Sequence, residues 1–193
     1  MNNKSFNSYK ENLDLEFLRK YCIEYGTLKI FSRGEVLESE GLASKWIGYI
    51  VKGCFNYKLH NRIQGKDHIT GFAFENEFVA DYPNCLYGQD AVVTIEAETQ
   101  SEVYLIDGKE LLNLYKTDVY NNRVGREIAE ALFVQTYTNL LEQYRFDAHS
   151  RYVRLLNRCP QIIQLVSLKN ISSYLNISPQ MLSKIRKSIT FND

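Results

Sequence analysis

Ser167-Leu-Lys-Asn-Ile-Ser-Ser-Tyr-Leu-Asn-Ile-Ser-Pro-Gln-Met-Leu-Ser-Lys-Ile-Arg-Lys-Ser-Ile-Thr-Phe-Asn-Asp193 reads as two short helices joined by a tight turn. Leu168, Ile171 and Leu175 fall at i, i+3 and i+7, one helical stripe. The stripe breaks at Asn176-Ile177. Ser178 then offers an N-cap hydroxyl, and Pro179 stands at the first helical position, where its missing N–H is no loss. In the second helix Leu182, Ile185 and Ile189 make the apolar stripe. Gln180, Ser183, Lys184 and Lys187 fall on the opposite face. An amide there can bracket an adenine edge, and cations can meet guanine or phosphate. The pattern is that of a helix-turn-helix with a polar, basic reading face. An ordinary helical hairpin with a solvated face gives the same spacing.

Charge separates the two readings. The chain has no net charge, yet from Arg145 onward eight basic residues (Arg145, Arg151, Arg154, Arg158, Lys169, Lys184, Arg186, Lys187) face only Asp147 and Asp193, a balance of +6 against −6 for residues 1–144. A basic end on an acidic body suits phosphate neutralisation with release of counterions.

The 193 residues leave room for one large domain, or a medium domain and a small one. No apolar run approaches membrane-spanning length, and Met1–Lys10 lacks the apolar stretch of a signal peptide. Cys22, Cys54, Cys85 and Cys159 are far apart and form no CxxC pair; His60, His68 and His149 are isolated. This spacing supports no metal site and no iron–sulfur cluster, and suits reduced thiols of a cytoplasmic protein. Heme would need an axial ligand such as His60, His68 or a cysteine, and no motif selects one.

Leu13, Phe17, Leu18, Tyr21 and Ile23 predict an amphipathic helix over 13–25. From Thr27 to Asp107, β-rich runs alternate with turn residues: 28–31, 36–39, 46–52, 55–60, 68–74, 92–97 and 102–106, punctuated by Gly34, Gly41, Gly53, Gly65, Gly71 and Gly88. Short strands at this spacing predict a sandwich, barrel or jelly roll. A short helix near 109–115 and a long one over 119–144 follow, then a helix over 148–158 that ends at Cys159-Pro160. The long segment has apolar residues on more than one face. Phe133, Tyr137, Leu140 and Tyr144 fall at i, i+4, i+7 and i+11; Val124, Ile128, Ala131 and Leu132 form another group. A helix held between its own sheet and a partner helix needs two such faces, and so does one buried in a monomer core.

Together the order of elements resembles the Crp/Fnr family of bacterial transcription regulators over nearly the whole chain. Ser32-Arg-Gly-Glu-Val-Leu37 is similar to the turn after the family's first roll strand. Trp46-Ile-Gly-Tyr-Ile-Val-Lys-Gly-Cys-Phe-Asn-Tyr57 is similar to its strand–Gly–strand hairpin, and Glu102-Val-Tyr-Leu-Ile-Asp107 to its last strand. The resemblance implies an α+β fold: an N-terminal antiparallel, jelly-roll-like β-roll sensor (1–117), a long dimerisation helix (118–146) and a helix-turn-helix DNA-binding domain (147–193). It implies a homodimer on double-stranded DNA, no enzymatic activity, no resident cofactor, and RNA polymerase as a further partner. Gln180 and Lys184 are expected at base edges, with Ser178, Ser183, Lys187 and Lys169 on phosphates. Pro179 stands where relatives often have a reading side chain, which shifts weight to shape readout. Val124, Ile128, Ala131 and Leu132 are expected to face the partner helix, with Phe133, Tyr137 and Leu140 turned inward.

Two departures from the family pattern matter. Its cyclic-nucleotide pocket uses Gly-Glu and, about ten residues on, Arg followed by Ser or Thr. Here those positions hold Ala80-Asp81 and Ala91-Val92. No cation or hydroxyl remains for the cyclic phosphate, so the nucleotide is not expected to bind. A cavity near Asp81, Tyr82, Tyr87, Gln89, Val92 and Thr94, open toward Phe133 and Thr136, would then hold a less charged effector, or be filled by its own side chains. The second departure is the β-wing. Only Cys159–Val166 is available for it, so it is expected to be reduced or absent. The rival readings are a ligand-binding or scaffolding β-roll that has lost DNA binding, and a cupin-like metalloenzyme. The latter needs a His/Glu ligand cluster that His60 and His68, eight apart, do not supply.

Overall fold

The structure is a computed structural model that describes residues 6–13 and 15–190. Residues 1–5 of the N-terminal stretch and Asp193 of the basic end lie outside the described residues. Eight strands come from the glycine-punctuated region: β1 (Thr27–Phe31), β2 (Val36–Glu38), β3 (Trp46–Lys52), β4 (Cys54–Asn61), β5 (Lys66–Phe74), β6 (Phe78–Ala80), β7 (Thr94–Ala97) and β8 (Ser101–Asp107). They form two antiparallel four-stranded sheets, ordered β1-β8-β3-β6 and β2-β7-β4-β5. The strand missed in the sequence is β6. Its three residues are too few for alternation to show, and pairing with β3 (Ile47 opposite Ala80) defines it.

The helices are α1 (Tyr9–Asn12), α2 (Glu16–Tyr25), α3 (Asn84–Tyr87), α4 (Gly108–Tyr115), α5 (Val119–Arg145), α6 (Ala148–Arg158), α7 (Ile162–Leu165), α8 (Leu168–Tyr174) and α9 (Pro179–Thr190). The first helix expected over 13–25 is α2, which starts only at Glu16, and the short α1 precedes it; the chain is extended between them at Leu13 (φ −120°, ψ 134°). Residues 162–165, in the stretch available for a wing, are helical.

Three apolar clusters organise the molecule. Phe31, Ile50, Phe55, Ile95 and Val103 fill the roll between its sheets. Leu18, Cys22, Ile47, Tyr49, Cys85, Leu111, Tyr115 and Ile128 bind α2, α3, α4 and α5 to the outside of β3 and β8. This explains why β3 is buried on both faces. Gly48 is required there, because a Cβ would lie 2.5 Å from Val103 Cγ1. The third cluster joins Ile69, Phe72 and Phe74 of β5 to Tyr152, Leu155, Ile162, Ile171, Leu175, Leu182 and Ile185. The C-terminal helices therefore share a core with the roll.

That contact is also polar. The buried Glu98 carboxylate, in the β7–β8 turn, accepts from Asn56 Nδ2 (2.7 Å), Asn170 Nδ2 (2.7 Å) and the Ser167 N–H (3.2 Å). The Ile69 N–H donates to Ser173 Oγ at 2.9 Å. Strand, turn and α8 are thereby fixed to one another.

Candidate nucleic-acid interface and effector cavity

The turn between α8 and α9 is built by local rules. Asn176 adopts φ 53°, the left-handed region that asparagine tolerates well. The Ile177 N–H reaches Ser172 O (3.0 Å) and the Asn176 N–H reaches Ser173 O (2.9 Å), the two bonds of a Schellman C-cap. Ser178 Oγ accepts from the Met181 N–H at 3.1 Å, and Pro179 opens α9. Leu182 and Ile185 are buried and Ile189 packs against the same core. Leu168, expected in the buried stripe of α8, is exposed, because as the first helical residue it lies beside the core rather than over it. Lys169, Ser178, Pro179, Gln180, Ser183, Lys184 and Lys187 are all exposed. Lys169, Ser178 and Pro179 also line a cleft of about 760 Å³, opposite Lys58, Lys66 and His68 of the β4–β5 hairpin.

The arginines of α6 lie elsewhere. Arg151, Arg154 and Arg158 form a stripe flanking the buried Tyr152 and Leu155, and face the β4–β5 hairpin across a second cleft. They belong to the basic end in sequence but not to the face of α9.

A cavity of about 600 Å³ lies between the roll and α5. Of the residues expected around it, Asp81, Tyr82, Val92 and Thr136 line it. The other four lie off it. Tyr87 ends α3 with its ring exposed, and Gln89 pairs through its backbone with Ser44 and Asn84. Thr94 Oγ1 accepts from the Glu40 N–H, and Phe133 points to solvent. The N-terminal segment enters instead: Asn7 donates to Glu77 Oε2 (2.6 Å) and Phe72 O (3.0 Å), and Gln135 Nε2 donates to Asn7 Oδ1 (3.0 Å). Nothing in the local pattern of residues 6–9 signals this role. Among the described residues, Asp81 is the only Asp, Glu, Lys, Arg or His in the lining. Its Oδ2 is taken by the Val92 N–H (2.8 Å) and Asn84 Nδ2 (3.1 Å), so the carboxylate clips its own loop. Tyr115 also lines the cavity, and its buried hydroxyl has no partner.

In the long helix, the stripe expected to meet a partner packs in the chain's own core. Ile128, 7% exposed, lies in the core shared with α2 and α4, with Val124 and Leu132 packed beside it. Phe133, Val134, Tyr137, Leu141 and Tyr144 are exposed, Phe133 at 68% and Tyr144 at 84%, whereas the half-exposed Leu140 also lines the cavity, as expected of it. The roll has β3 and β8 on that side already, and Gly125 and Ile128 sit where α4 and its Tyr115 ring approach. The stripe that can follow α4 therefore turns inward, and the aromatic stripe outward.

Comparison with known proteins agrees with this architecture. Residues 28–118 match the family model of the cyclic nucleotide-binding domain. No curated protein matches at the level of sequence. Among solved structures, the chain is similar to FixK2 from Bradyrhizobium japonicum (TM-score 0.74, 16% identity, 86% of this chain and 85% of that one). It is similar to the c-di-GMP responsive global regulator CLP from Xanthomonas campestris (TM-score 0.67, 15% identity, 93% of each chain). It is also similar to a CRP-family transcriptional regulator from Thermus thermophilus (TM-score 0.63, 15% identity, 85% of each). Residues 28–118 thus match the cyclic nucleotide-binding domain, within a chain that shares its fold with these solved transcription regulators.

Proposed function

We propose that the chain is a sequence-specific DNA-binding transcription regulator of the Crp/Fnr type, a homodimer that does not respond to cyclic AMP. In this reading residues 1–117 are the sensor, 118–146 the connecting and dimerisation helix, and 147–193 the DNA-binding domain. The observation that carries it is the exposed Gln180, Ser183, Lys184 and Lys187 face on a helix seated by a Schellman turn and a serine cap. Such a face can enter a major groove and read base edges from its first turns. Lys169 and the Ser178 hydroxyl would position the backbone. The exposed Phe133, Tyr137, Leu140 and Tyr144 repeat at 4-3-4 spacing, the seam of a two-stranded coiled coil, and we assign the partner contact to them. The protein acts as a regulator without catalytic activity, in the cytoplasm, with RNA polymerase as a further partner.

Selection of bound fragments from genomic DNA by purified protein tests this. A shared motif should emerge, and Gln180→Ala with Lys184→Ala should weaken binding to it. Two base contacts at about 1 kcal/mol or more each give a loss of roughly thirtyfold or more. Equal enrichment by wild type and variant would remove the reading.

A further inference from the structure

The cations absent from the roll cavity are present at the hinge. Arg151, Arg154 and Arg158, on one stripe of α6, line a cleft of about 600 Å³ bounded by the β4–β5 hairpin, the end of α5 and α8. Its lining holds one acid among the described residues, Glu142, which pairs with Arg154. Asp147, four residues before Arg151, is engaged as the cap of α6, accepting from the Ser150 N–H at 2.8 Å. Arg158 makes no ion pair among the described residues, and Arg151 Nε is buried without a hydrogen-bond acceptor. A buried guanidinium N–H with no acceptor is costly, and its planar fork matches phosphate oxygens. Leu59, Phe6 and the Tyr174 ring supply apolar wall beside the cations. The volume suits a nucleotide-sized molecule rather than a duplex.

We propose that this cleft is a binding site for a small phosphate- or polyphosphate-bearing molecule with an apolar or aromatic body. Arg151 and Arg158 would supply the charge. The occupant touches the roll hairpin, α5, α6 and α8 together, so it braces the helix-turn-helix against the roll. Anion binding stands independently of the DNA-binding reading, and the test uses protein alone.

The probe is inorganic pyrophosphate, titrated calorimetrically into full-length protein at constant ionic strength. Wild type should give saturable heat in the millimolar range or tighter and a raised Tm. Arg151→Gln with Arg158→Gln should weaken binding at least tenfold and abolish the Tm shift, with unchanged circular dichroism. Glu142→Gln removes the acid of the cleft and should tighten binding about threefold or more, an effect that damage to the fold would not produce. Unsaturable heat with wild type, equal affinity in the double variant, or weaker binding by Glu142→Gln would each overturn the assignment.

Discussion

The side chain that fixes the relation of helix-turn-helix to roll is Glu98. It is buried, and its three donors come from β4, the loop before α8 and α8 itself. Glu98→Ala strands those donors, at about 1–3 kcal/mol for a buried unsatisfied group. Urea denaturation should show a loss of that order, with the helical domain melting before the roll. A single unshifted transition would contradict it. The cysteines make a second prediction at this scale. All four are buried. Burial pushes Cys22 and Cys85 up to about 12 and Cys159 to about 11, from an ordinary 9.0, and Cys54 higher still. At pH 8 the native protein should therefore react negligibly with a disulfide reagent, and all four thiols should titrate only on unfolding. The sign for stability follows: the unfolded thiols ionise first as pH rises past about 9, so stability falls above that value. One thiol reacting rapidly in the native state would refute the burial.

Among the elements, α5 is the one whose faces the periodicity could not allocate. Both stripes are apolar, and helical spacing alone does not tell roll from partner. The decision came from packing. Gly125 and Ile128 meet Tyr115 and the α2–α4 cluster, which leaves Phe133, Tyr137 and Tyr144 exposed and Leu140 at the edge of the cavity. Substitutions separate the two faces. Tyr137→Glu, on the exposed face and off the cavity, should leave the fold intact and convert a dimer to monomer in sedimentation at micromolar concentration. Ile128→Glu buries an unpaired carboxylate and should instead lower Tm sharply. If Ile128→Glu gives a stable monomer and Tyr137→Glu leaves the dimer whole, the assignment is reversed. By contrast α9 was legible in full: its cap, its proline, its apolar stripe and its polar face all lie within twelve consecutive residues, Ser178–Ile189.

At the scale of the molecule, charge is distributed against a cyclic nucleotide in the cavity of the roll. Among the described residues, the cavity between roll and α5 offers Asp81 and no Lys, Arg or His. Calorimetry with cyclic AMP and cyclic GMP should give no saturable heat at millimolar ligand, since a buried phosphate without a cation is strongly unfavourable. Micromolar binding of either would overturn the argument from Ala91 and Val92.

The sequence by itself determined the elements: the glycine-punctuated strands, the long helix, the capped last helix with its polar face, and the absence of a cation or hydroxyl at Ala91 and Val92. These are set by local spacing, turn chemistry and residue type, all contained within short windows. Tertiary structure decided what depends on residues far apart in the chain. It placed Asn7 against Glu77 and Gln135, closed Glu98 onto Asn170, and chose which face of α5 is buried. It also carried the arginines of α6 from the basic end into the hinge. Amphipathic spacing says that a face must be covered and leaves open by what; only the packing of the whole chain supplies the cover.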